Sequence, residues 1–393
     1  MDLNKVDVGI IGAGPAGLTL ALLLNREGLK PVVIESKTRS YVESRVRAGL
    51  LEQNTVNLFD ELGVADRLKR EGLVHHGVYL SFNGERIRIP FDERPEGRCI
   101  TIYGQQEVTK DLIQACIERG IEIYFESEAR QVLFQPDKVS SILYSNNGEL
   151  RNLRCDFVAG CDGYHGIART FLSKGSYREF KKEYAFSWLG ILANAKPATD
   201  ELIYSYHDRG FALHSLRSMS ISRLYLQVSN DDKLENWSDD RIWEELSVRL
   251  ATKDFKINTG PITEKTITPM RSFMIDNLQS GRLFLAGDAA HIVPPTGGKG
   301  LNLAVADVKI LAERFIQFYR TRKENVLADY SACALARVWR AQDFSNFMTA
   351  LFHKQSEHGS FEYHLQKSKF DYLKISKAYT FSLAENYVGL AEI

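Results

Sequence analysis

The segment RLFLAGDAAHIVPPTGGKGLN, residues 282–302, combines an acid with a loop of unusual composition. An apolar run stops at Gly287 and Asp288, and two adjacent prolines and three glycines follow before a helical pattern begins at Leu301. Glycine lets backbone approach a ligand closely, and proline stiffens the chain. A buried strand with a capping acid needs neither, so this corner is predicted to line a binding site.

A second candidate site lies near the N-terminus, where residues 12–17 read GAGPAG and match the GxGxxG pattern. The motif follows an apolar strand pattern and opens a helical one, and Glu35 ends the next predicted strand. Gly12 permits a tight turn, Gly14 lets backbone approach a pyrophosphate, and Gly17 lets helix and strand pack closely. Glu35 is placed to accept the hydroxyls of a ribose. The pattern predicts a dinucleotide site in a βαβ unit.

Several further elements are needed to position these residues. Residues 76–91 alternate apolar and polar side chains around Asn83-Gly84, which predicts a β-hairpin. Strand patterns recur between residues 181 and 230 and predict a second, mostly antiparallel sheet. An apolar stripe at helical spacing begins at Leu301, and the last fifty residues have helical patterns.

Composition excludes several classes of function. The 393 residues carry 50 basic and 50 acidic side chains, so no global field favours nucleic acid or an anionic membrane. The five cysteines are scattered without ligand-like spacing, which predicts reduced thiols, a cytoplasmic location and no metal site. No signal-peptide layout and no membrane span are expected.

Three motifs in order carry a family resemblance: GxGxxG, the pair Asp162-Gly163, and the pair Gly287-Asp288. Together they resemble the single-component FAD-dependent aromatic hydroxylases. Segments such as ESRVRAGLLEQ, YGQQEVTKDL and AENYVGL are similar to the members of that family that act on 4-hydroxybenzoate. The resemblance implies FAD as cofactor, and NADPH, or NADH as the alternative, as hydride donor. It implies hydroxylation by O2, through a flavin C4a-hydroperoxide, to 3,4-dihydroxybenzoate in aromatic catabolism, by a homodimer.

The resemblance also implies a fold class and domain boundaries. The expected fold is α/β, a Rossmann-like FAD-binding domain with an inserted, mostly antiparallel substrate domain and a helical C-terminal segment. The FAD-binding domain would comprise residues 1–75, 101–180 and 276–345. The substrate domain would comprise the hairpin 76–100 and residues 181–275, and the helical segment residues 346–393.

The FAD contacts implied by the resemblance come from both glycine-rich regions and from one further segment. Asp288 would bond the ribityl chain, and the helix that begins near Leu301 and Asn302 would face the pyrimidine end of the flavin, whose reduced form is negatively charged. The full set is Gly12, Gly14, Gly17, Glu35, Arg45, Val46, Arg47, Ala48, Gly49, Leu50, Gln105, Asp288, Leu301 and Asn302.

The implied substrate contacts match a molecule with a carboxylate at one end and a phenol at the other. Arg217, supported by Ser215 and Tyr225, would clamp the carboxylate, because a planar guanidinium suits that task. Tyr204 and the carbonyl of Pro295 would contact the phenol. Tyr387 and His75 would extend Tyr204 into a proton relay toward solvent, and Tyr204, Tyr387 and His75 are therefore the candidate catalytic residues.

The nicotinamide nucleotide is expected to bind transiently, since the sequence has no second GxGxxG unit. The implied contacts are Ser36, Lys37, Arg39, Tyr41, Arg45, His165 and Arg169. Their positive charges suit a 2′-phosphate and favour NADPH, whereas Ser36 departs from the arginine expected in NADPH-selective relatives. Arg223 and Lys299 would supply positive charge near the flavin. Gly298 replaces an expected alanine, a change predicted to alter flexibility more than chemistry.

Two alternative interpretations remain at this stage. A related flavoenzyme could act on a different hydroxybenzoate or on 4-aminobenzoate; a halogenase is disfavoured because the four tryptophans form no WxWxIP motif. A non-enzymatic FAD-binding sensor would be expected to lack the carboxylate clamp or the tyrosine pair.

Overall fold

The glycine-rich motif forms the turn between the first strand and the first helix of the chain. The computed structural model describes residues 5–47, 49–91, 93, 97–134 and 140–389. Within them the strands are β1 (Val6–Ile11), β2 (Pro31–Ile34), β3 (Leu50–Glu52), β4 (Leu73–His75), β5 (Gly77–Phe82), β6 (Glu85–Pro90), β7 (Ile100–Ile102), β8 (Glu122–Tyr124), β9 (Ser127–Phe134), β10 (Ser140–Asn146), β11 (Glu149–Gly160), β12 (Glu179–Ala193), β13 (Ile203–Tyr206), β14 (Ala212–Leu216), β15 (Ser222–Val228), β16 (Ile262–Ile275), β17 (Gln279–Ser280), β18 (Leu283–Leu285) and β19 (His291–Ile292). The helices are α1 (Pro15–Arg26), α2 (Arg39–Ser44), α3 (Gln53–Glu61), α4 (Asp66–Glu71), α5 (Gln105–Glu118), α6 (Asp239–Arg249), α7 (Gly300–Thr321), α8 (Tyr330–Phe352), α9 (Phe361–Ile375) and α10 (Lys377–Val388).

The first sheet has a parallel core in the order β18-β11-β1-β2-β8. The strands β1, β2 and β18 are mostly apolar, as expected for a parallel sheet covered on both faces. The antiparallel strands β9 and β10 extend the sheet from the first half of β11. Because both glycine-rich turns follow parallel strands of this sheet, β1 and β18, they lie at the same edge, where the carboxyl ends of such strands bind ligands.

The second sheet has the order β19-β16-β12-β15-β14-β13-β5-β6 and is antiparallel except where β13 runs parallel to β5. The predicted hairpin is present, and Asn83 and Gly84 take positive φ angles of 46° and 85° in its turn. The parallel sheet, the mostly antiparallel sheet and the C-terminal helices confirm the predicted fold class.

A small third sheet, β3-β7-β4, was not predicted from the sequence. In it, β7 lies between β3, which contains Leu50 and Glu52, and β4, which ends in His75. The predicted domain division stays a prediction, and its boundary between residues 345 and 346 falls inside α8.

The described part of the chain also bears on the excluded functions. None of its helices is both long and apolar enough to cross a membrane. The same residues include no group of three or more His, Cys, Asp or Glu side chains placed to hold a metal ion.

Candidate active site

The GxGxxG turn is shaped by close backbone approaches at two of its glycines. Gly12 has a φ of +106°, and a Cβ atom there would lie 2.4 Å from the carbonyl oxygen of Cys161. A Cβ atom at Gly17 would lie 2.1 Å from the carbonyl oxygen of Gly12. A Cβ atom at Gly14, by contrast, would meet nothing within 4 Å, so the space in front of the α1 N-terminus is open. An anion can approach the free N–H groups there.

Glu35 holds the glycine turn in place through hydrogen bonds to two backbone N–H groups. Its Oε2 accepts a hydrogen bond from the backbone N–H of Ala13 at 2.8 Å, and its Oε1 accepts one from Lys37 N–H at 2.8 Å. Oε1 also accepts from Ser36 Oγ at 3.3 Å, whereas Oε2 keeps a second acceptor position, which leaves capacity for a ribose hydroxyl.

A buried pair, His291 and Asp307, stabilises the turn that contains Asp288, and no sequence motif indicates this pair. Gly287, with φ +62°, donates its N–H to Asp307 Oδ2 at 2.9 Å, and His291 Nε2 lies 2.6 Å from the same oxygen. Burial lowers the pKa of His291, but the charge and hydrogen bond of Asp307 outweigh it, so the pKa lies above its ordinary value. Asp288 itself is exposed and therefore accessible to a ligand.

The N-terminus of α7 is fixed by Asn302, whose amide makes four hydrogen bonds within the chain. It donates to the carbonyls of Leu50 (2.9 Å) and Gly298 (3.0 Å), and it accepts from Glu52 N–H (2.9 Å) and Thr55 Oγ1 (2.8 Å). Its side chain is therefore occupied, and what Leu301 and Asn302 can offer a flavin is the backbone N–H groups of the first helical turn.

Gly298 has a structural role beyond the flexibility predicted for it. Its φ is +64°, and a Cβ atom there would lie 3.0 Å from Leu50 Cδ1. An alanine would be strained in this conformation and crowded by Leu50. The glycine therefore sets the geometry of the loop rather than its flexibility alone.

Lys299 does not present a free positive charge. Its Nζ lies 2.7 Å from Glu52 Oε1 and donates to the Tyr387 carbonyl at 2.8 Å, and both side chains of the ion pair are about 95% buried. Arg337 approaches the other oxygen of Glu52 at 3.3 Å. Burial lowers the pKa of Lys299, opposed by Glu52. Lys299 is thus one half of a buried ion pair, and its predicted role near the flavin stays a prediction.

Tyr204 and Tyr387 meet in the core although 183 positions separate them. Their hydroxyl oxygens are 2.8 Å apart, and both side chains are buried, Tyr204 on β13 and Tyr387 on α10. Burial raises the pKa of both phenols well above the ordinary value. Both tyrosines therefore keep their protons at neutral pH and can donate hydrogen bonds.

His75 is buried at the end of β4 and is not hydrogen-bonded to the tyrosine pair. Among the described residues, neither ring nitrogen has a hydrogen-bond partner. Burial lowers the pKa of His75 to about 4, opposed by the charges of Glu201 and Asp200. The imidazole is neutral at pH 7, and any relay from Tyr387 needs an intervening group.

Arg217 lies just after β14 with part of its guanidinium unsatisfied. Nη2 donates to the Arg47 carbonyl at 2.9 Å, whereas the buried Nε has no partner within the described chain. Ser215 bonds weakly to the Leu216 carbonyl at 3.4 Å, and the Tyr225 hydroxyl accepts from Arg223 Nε at 3.3 Å. Burial lowers the pKa of Arg217, opposed by Tyr225. An unsatisfied buried donor is costly, and a carboxylate would satisfy it.

The remaining predicted contacts are placed less uniformly. Arg45 and Arg47 are exposed, Val46 and Gln105 are half-buried, and Pro295 is exposed at the loop surface. Gly49 is buried where a Cβ atom would lie 2.1 Å from the Tyr103 carbonyl oxygen. Ala48 lies outside the described residues.

Three of the residues predicted to meet the nicotinamide nucleotide line one surface groove of about 380 Å³. Its walls are Ser36, Lys37, Thr38, Tyr41, Glu126, Glu128, Ser145, Asn147 and Gly148. The other four predicted residues do not line this groove: Arg39 pairs with Glu43 at 2.6 Å, and Arg169 donates to the Ala289 carbonyl at 2.7 Å. Glu126 and Glu128 were missed by sequence reasoning, because nothing local links them to Ser36.

Comparisons with known proteins identify the family of this chain. The family model of the FAD binding domain matches residues 5–345, so the chain belongs to that family and is an FAD-dependent monooxygenase. Within it, the chain is 45% identical over 393 residues to p-hydroxybenzoate hydroxylase of Acinetobacter baylyi, covering 99% of this chain and 96% of the relative.

Solved structures share the fold at lower identity. p-Nitrophenol 4-monooxygenase PnpA from Pseudomonas putida superposes with a TM-score of 0.82 at 19% identity, over 99% of both chains. Aklavinone-11 hydroxylase, in a ternary complex with FAD and aklavinone, gives a TM-score of 0.75 at 20% identity, over 92% of this chain and 72% of its own. The predicted family, fold and FAD cofactor are confirmed.

The residues present fit FAD at three independent points. The open space at Gly14 faces the N-terminus of α1, where free N–H groups suit a pyrophosphate. The exposed acid Asp288 follows a parallel strand at the same sheet edge. The Asn302 side chain donates to the carbonyls of Leu50 and Gly298 and does not occupy the backbone N–H groups in the first turn of α7. These N–H groups suit the negatively charged end of a reduced flavin.

Proposed function

We propose that this protein converts 4-hydroxybenzoate, NADPH, O2 and a proton into 3,4-dihydroxybenzoate, NADP⁺ and water, with FAD as cofactor. The observation that carries the proposal is the buried hydrogen bond between Tyr204 and Tyr387. Two buried phenols that keep their protons can donate hydrogen bonds. Such a donor can bind the phenol of a substrate and stabilise its ionised form. The 45% identical relative named p-hydroxybenzoate hydroxylase supports the same assignment.

FAD would be held by the glycine turn and Glu35 at one end, and by Asp288 and the first turn of α7 at the other. When bound, it supplies the redox chemistry, taking a hydride from NADPH and passing one oxygen atom of O2 to the aromatic ring. The remaining contacts proposed are Arg45, Val46, Arg47, Ala48, Gly49, Leu50 and Gln105.

Arg217 would orient the substrate by its carboxylate. The unsatisfied Nε of Arg217 and the weakly held hydroxyl of Ser215 are both donors that a carboxylate can accept from. Tyr225 lies on the neighbouring strand, with its hydroxyl beside Arg223. A substrate carboxylate here completes hydrogen bonds that the protein leaves open, so binding and orientation come from the same contacts.

Tyr204 would donate a hydrogen bond to the substrate phenolate, with the Pro295 carbonyl as a second neighbour. The ring becomes more electron-rich when its phenol is ionised, and it then reacts faster with an electrophilic oxygen. Because the pKa of Tyr204 is raised by burial, the proton of the tyrosine stays on Tyr204 and only the substrate proton is lost. Tyr387 supports Tyr204, and His75 joins the path through an intervening water.

NADPH is the proposed hydride donor, with NADH as the alternative. Ser36, Lys37 and Tyr41 in the surface groove would contact the nucleotide, together with Arg39, Arg45, His165 and Arg169. The protein is also proposed to be a cytoplasmic homodimer; all five of its cysteines are free, which supports the location.

The test is NADPH oxidation by the purified yellow protein with and without 4-hydroxybenzoate, with the product identified by chromatography. Strong stimulation with formation of 3,4-dihydroxybenzoate is expected. Stimulation that yields only hydrogen peroxide, or turnover of 4-aminobenzoate instead, would show that another ring is the substrate. Parallel assays with NADH determine the nucleotide preference.

A further inference from the structure

His353 is a buried histidine immediately after α8, and each of its ring nitrogens has one partner. Its Nε2 lies 2.6 Å from Trp188 Nε1, and its Nδ1 lies 2.9 Å from the carbonyl oxygen of Thr349. An indole nitrogen can only donate and a carbonyl can only accept, so Nε2 is unprotonated and Nδ1 carries the hydrogen. The imidazole is therefore neutral, in agreement with burial, which lowers the pKa of His353 to about 3.

The imidazole of His353 lies within a stack of aromatic rings. Its ring centroid is 4.4 Å from that of Phe186, 4.3 Å from that of Phe211 and 5.7 Å from that of Trp188. None of the four residues is more than 5% exposed, and we call them the aromatic wall. Stacking alone leaves an indole free to rotate in its plane, whereas the hydrogen bond to His353 is directional and fixes the orientation of Trp188.

The aromatic wall contacts both ends of the proposed substrate site. The ring centroids of Trp188 and Tyr225 are 4.8 Å apart, and Tyr225 belongs to the proposed carboxylate clamp. The centroids of Phe211 and Tyr204 are 6.1 Å apart, and Tyr204 is the proposed partner of the phenol. Trp188 and Phe211 are themselves stacked at 5.3 Å. The packing of the wall therefore fixes the separation between the two ends.

The register of the second sheet explains why these rings meet. Gly190 on β12 and Leu213 on β14 both lie opposite Tyr225 on β15. Trp188 and Phe211 each precede one of these residues by two positions. Because residues two apart point to the same face of a sheet, both rings lie on the face that carries Tyr225.

Thr349 connects the aromatic wall to the loop that contains the two prolines. Its carbonyl faces His353, and its hydroxyl donates to the Ser345 carbonyl at 2.7 Å. The hydroxyl oxygens of Thr296 and Thr349 are 2.8 Å apart, and Thr296 is the donor because the proton of Thr349 is already used. Thr296 directly follows Pro295, whose carbonyl is the second proposed neighbour of the phenol. The wall is thus joined to a third proposed substrate contact.

We propose that His353 is a positioning residue that sets the length of the substrate site. It holds Trp188 against Tyr225 and keeps Phe211 against Tyr204, which matches the site to a phenol whose carboxylate is attached directly to the ring. A phenolic acid with one more methylene group is disfavoured, because a packed site discriminates one methylene by about 10- to 200-fold. This inference rests on the proposed function, since it takes Tyr204 and Tyr225 as contacts of 4-hydroxybenzoate.

The first test compares binding of 4-hydroxybenzoate and of 4-hydroxyphenylacetate, which is one methylene longer. Titration of the FAD-loaded protein, followed by the visible absorption of FAD, gives both dissociation constants. His353→Phe keeps a ring in the wall but leaves the Trp188 N–H buried without its acceptor. The dissociation constant of 4-hydroxybenzoate should rise about tenfold, and the preference over the longer acid should fall about tenfold.

His214→Phe is the matched control for this variant. His214 is also fully buried, and its Nε2 accepts a hydrogen bond from Ala198 N–H at 3.1 Å, so its replacement also leaves a donor unsatisfied. It lies next to Leu213 in β14 and therefore on the opposite face of the sheet. Both variants should lower the urea midpoint of unfolding, but His214→Phe should leave the two dissociation constants unchanged within error.

His353→Gln tests whether the hydrogen bond to Trp188 carries the effect. A glutamine amide offers an acceptor to the indole N–H but no ring to stack. The preference for 4-hydroxybenzoate should therefore recover at least in part, relative to His353→Phe. A glutamine variant that discriminates no better than the phenylalanine variant would contradict the role of the hydrogen bond.

The remaining outcomes separate this inference from the proposed function. A wild type that does not bind 4-hydroxybenzoate would contradict both. A wild type that binds it, with unchanged dissociation constants in His353→Phe, would contradict the inference alone. Lower urea midpoints in both histidine variants, without any change in binding, would show that His353 has only a structural role.

Discussion

Two buried polar regions of the molecule differ in how completely their hydrogen bonds are satisfied. At the start of α7, the Asn302 amide makes four hydrogen bonds, and Lys299 is paired with Glu52. In the proposed substrate region, the Arg217 Nε, the Arg223 Nη1 and both nitrogens of His75 have no hydrogen-bond partner among the described residues. Buried polar groups are nearly always satisfied in folded proteins, so the exceptions call for an explanation.

The difference indicates that the first region has a structural role and that the second is available to bind a ligand. The satisfied network bonds only to its own chain, and it fixes the loop and the start of α7, which are proposed to face the flavin. The unsatisfied donors keep binding capacity that a substrate carboxylate or a water can use. We therefore expect substitutions in the first region to change stability most, and substitutions in the second to change turnover most.

The largest effect is expected from Lys299→Met. It leaves the carboxylate of Glu52 buried without its main partner, so the free energy of unfolding should fall by about 3–5 kcal/mol. Urea titration of the FAD-loaded protein measures it. Lys299→Met/Glu52→Leu should recover most of the loss, because it removes both charges, and Lys374→Met, in a surface pair, should change little. Equal loss in the single and double variants would contradict a role for the pair.

Arg217→Lys should act on the reaction and not on the fold. A lysine cannot make the two-point contact of a guanidinium, so kcat/KM for 4-hydroxybenzoate should fall about 100-fold, or about 2.7 kcal/mol. The free energy of unfolding should fall by no more than about 1 kcal/mol, since the one hydrogen bond within the described chain that the substitution can lose is that of Nη2 to the Arg47 carbonyl. The exposed arginine in Arg178→Lys is the control, and steady-state kinetics is the measurement. Unchanged kcat/KM would place the carboxylate elsewhere.

The same comparison explains how much could be predicted from the sequence. The roles of Gly12, Gly17 and the Asn83-Gly84 turn were predictable, because each depends on a local backbone requirement that the sequence displays. The pairing of Lys299 with Glu52 was not, since it spans 247 positions and depends on the third sheet, whose three-residue strands carry no clear pattern.

The proposed substrate residues show the same limit from the other side. Tyr204 and Tyr387 were selected by resemblance alone, because nothing in their spacing marks two of 17 tyrosines. Their contact depends on tertiary packing, because it joins β13 to α10 across 183 positions of the sequence and no local pattern predicts it. The isolation of His75 from that pair was likewise invisible in the sequence, where only the resemblance implied a relay.

The lowered pKa of His75 predicts that the free energy of unfolding depends on pH. Its pKa is about 4 in the folded protein and about 6.5 when unfolded, so acid protonates the unfolded chain first and stability is lost as pH falls from 6.5 toward 4. Between pH 7.5 and pH 5 the contribution is about 2 kcal/mol. His75→Gln should reduce the acid-induced loss by that amount in urea titrations at both pH values. His76→Gln, the exposed neighbour, should leave the loss unchanged; a wild-type slope in His75→Gln would contradict the assignment.

The smallest effect is expected from Tyr387→Phe. This variant tests whether the tyrosine pair has a structural role, like the network at the start of α7, or a role in substrate binding. Tyr204 would lose its only hydroxyl partner in the described chain, so it would hold a substrate phenolate less firmly. We expect kcat to fall about tenfold, or about 1.4 kcal/mol, with KM changed less than twofold and the loss diminishing at higher pH, where the substrate ionises unaided. Tyr206→Phe is the matched control on β13, because the Tyr206 hydroxyl is buried without a described partner and its removal should leave kcat intact. A loss in stability with unchanged kcat would show that the tyrosine pair has a structural role only. A loss in kcat that is rescued at high pH would show that the pair assists ionisation of the substrate phenol.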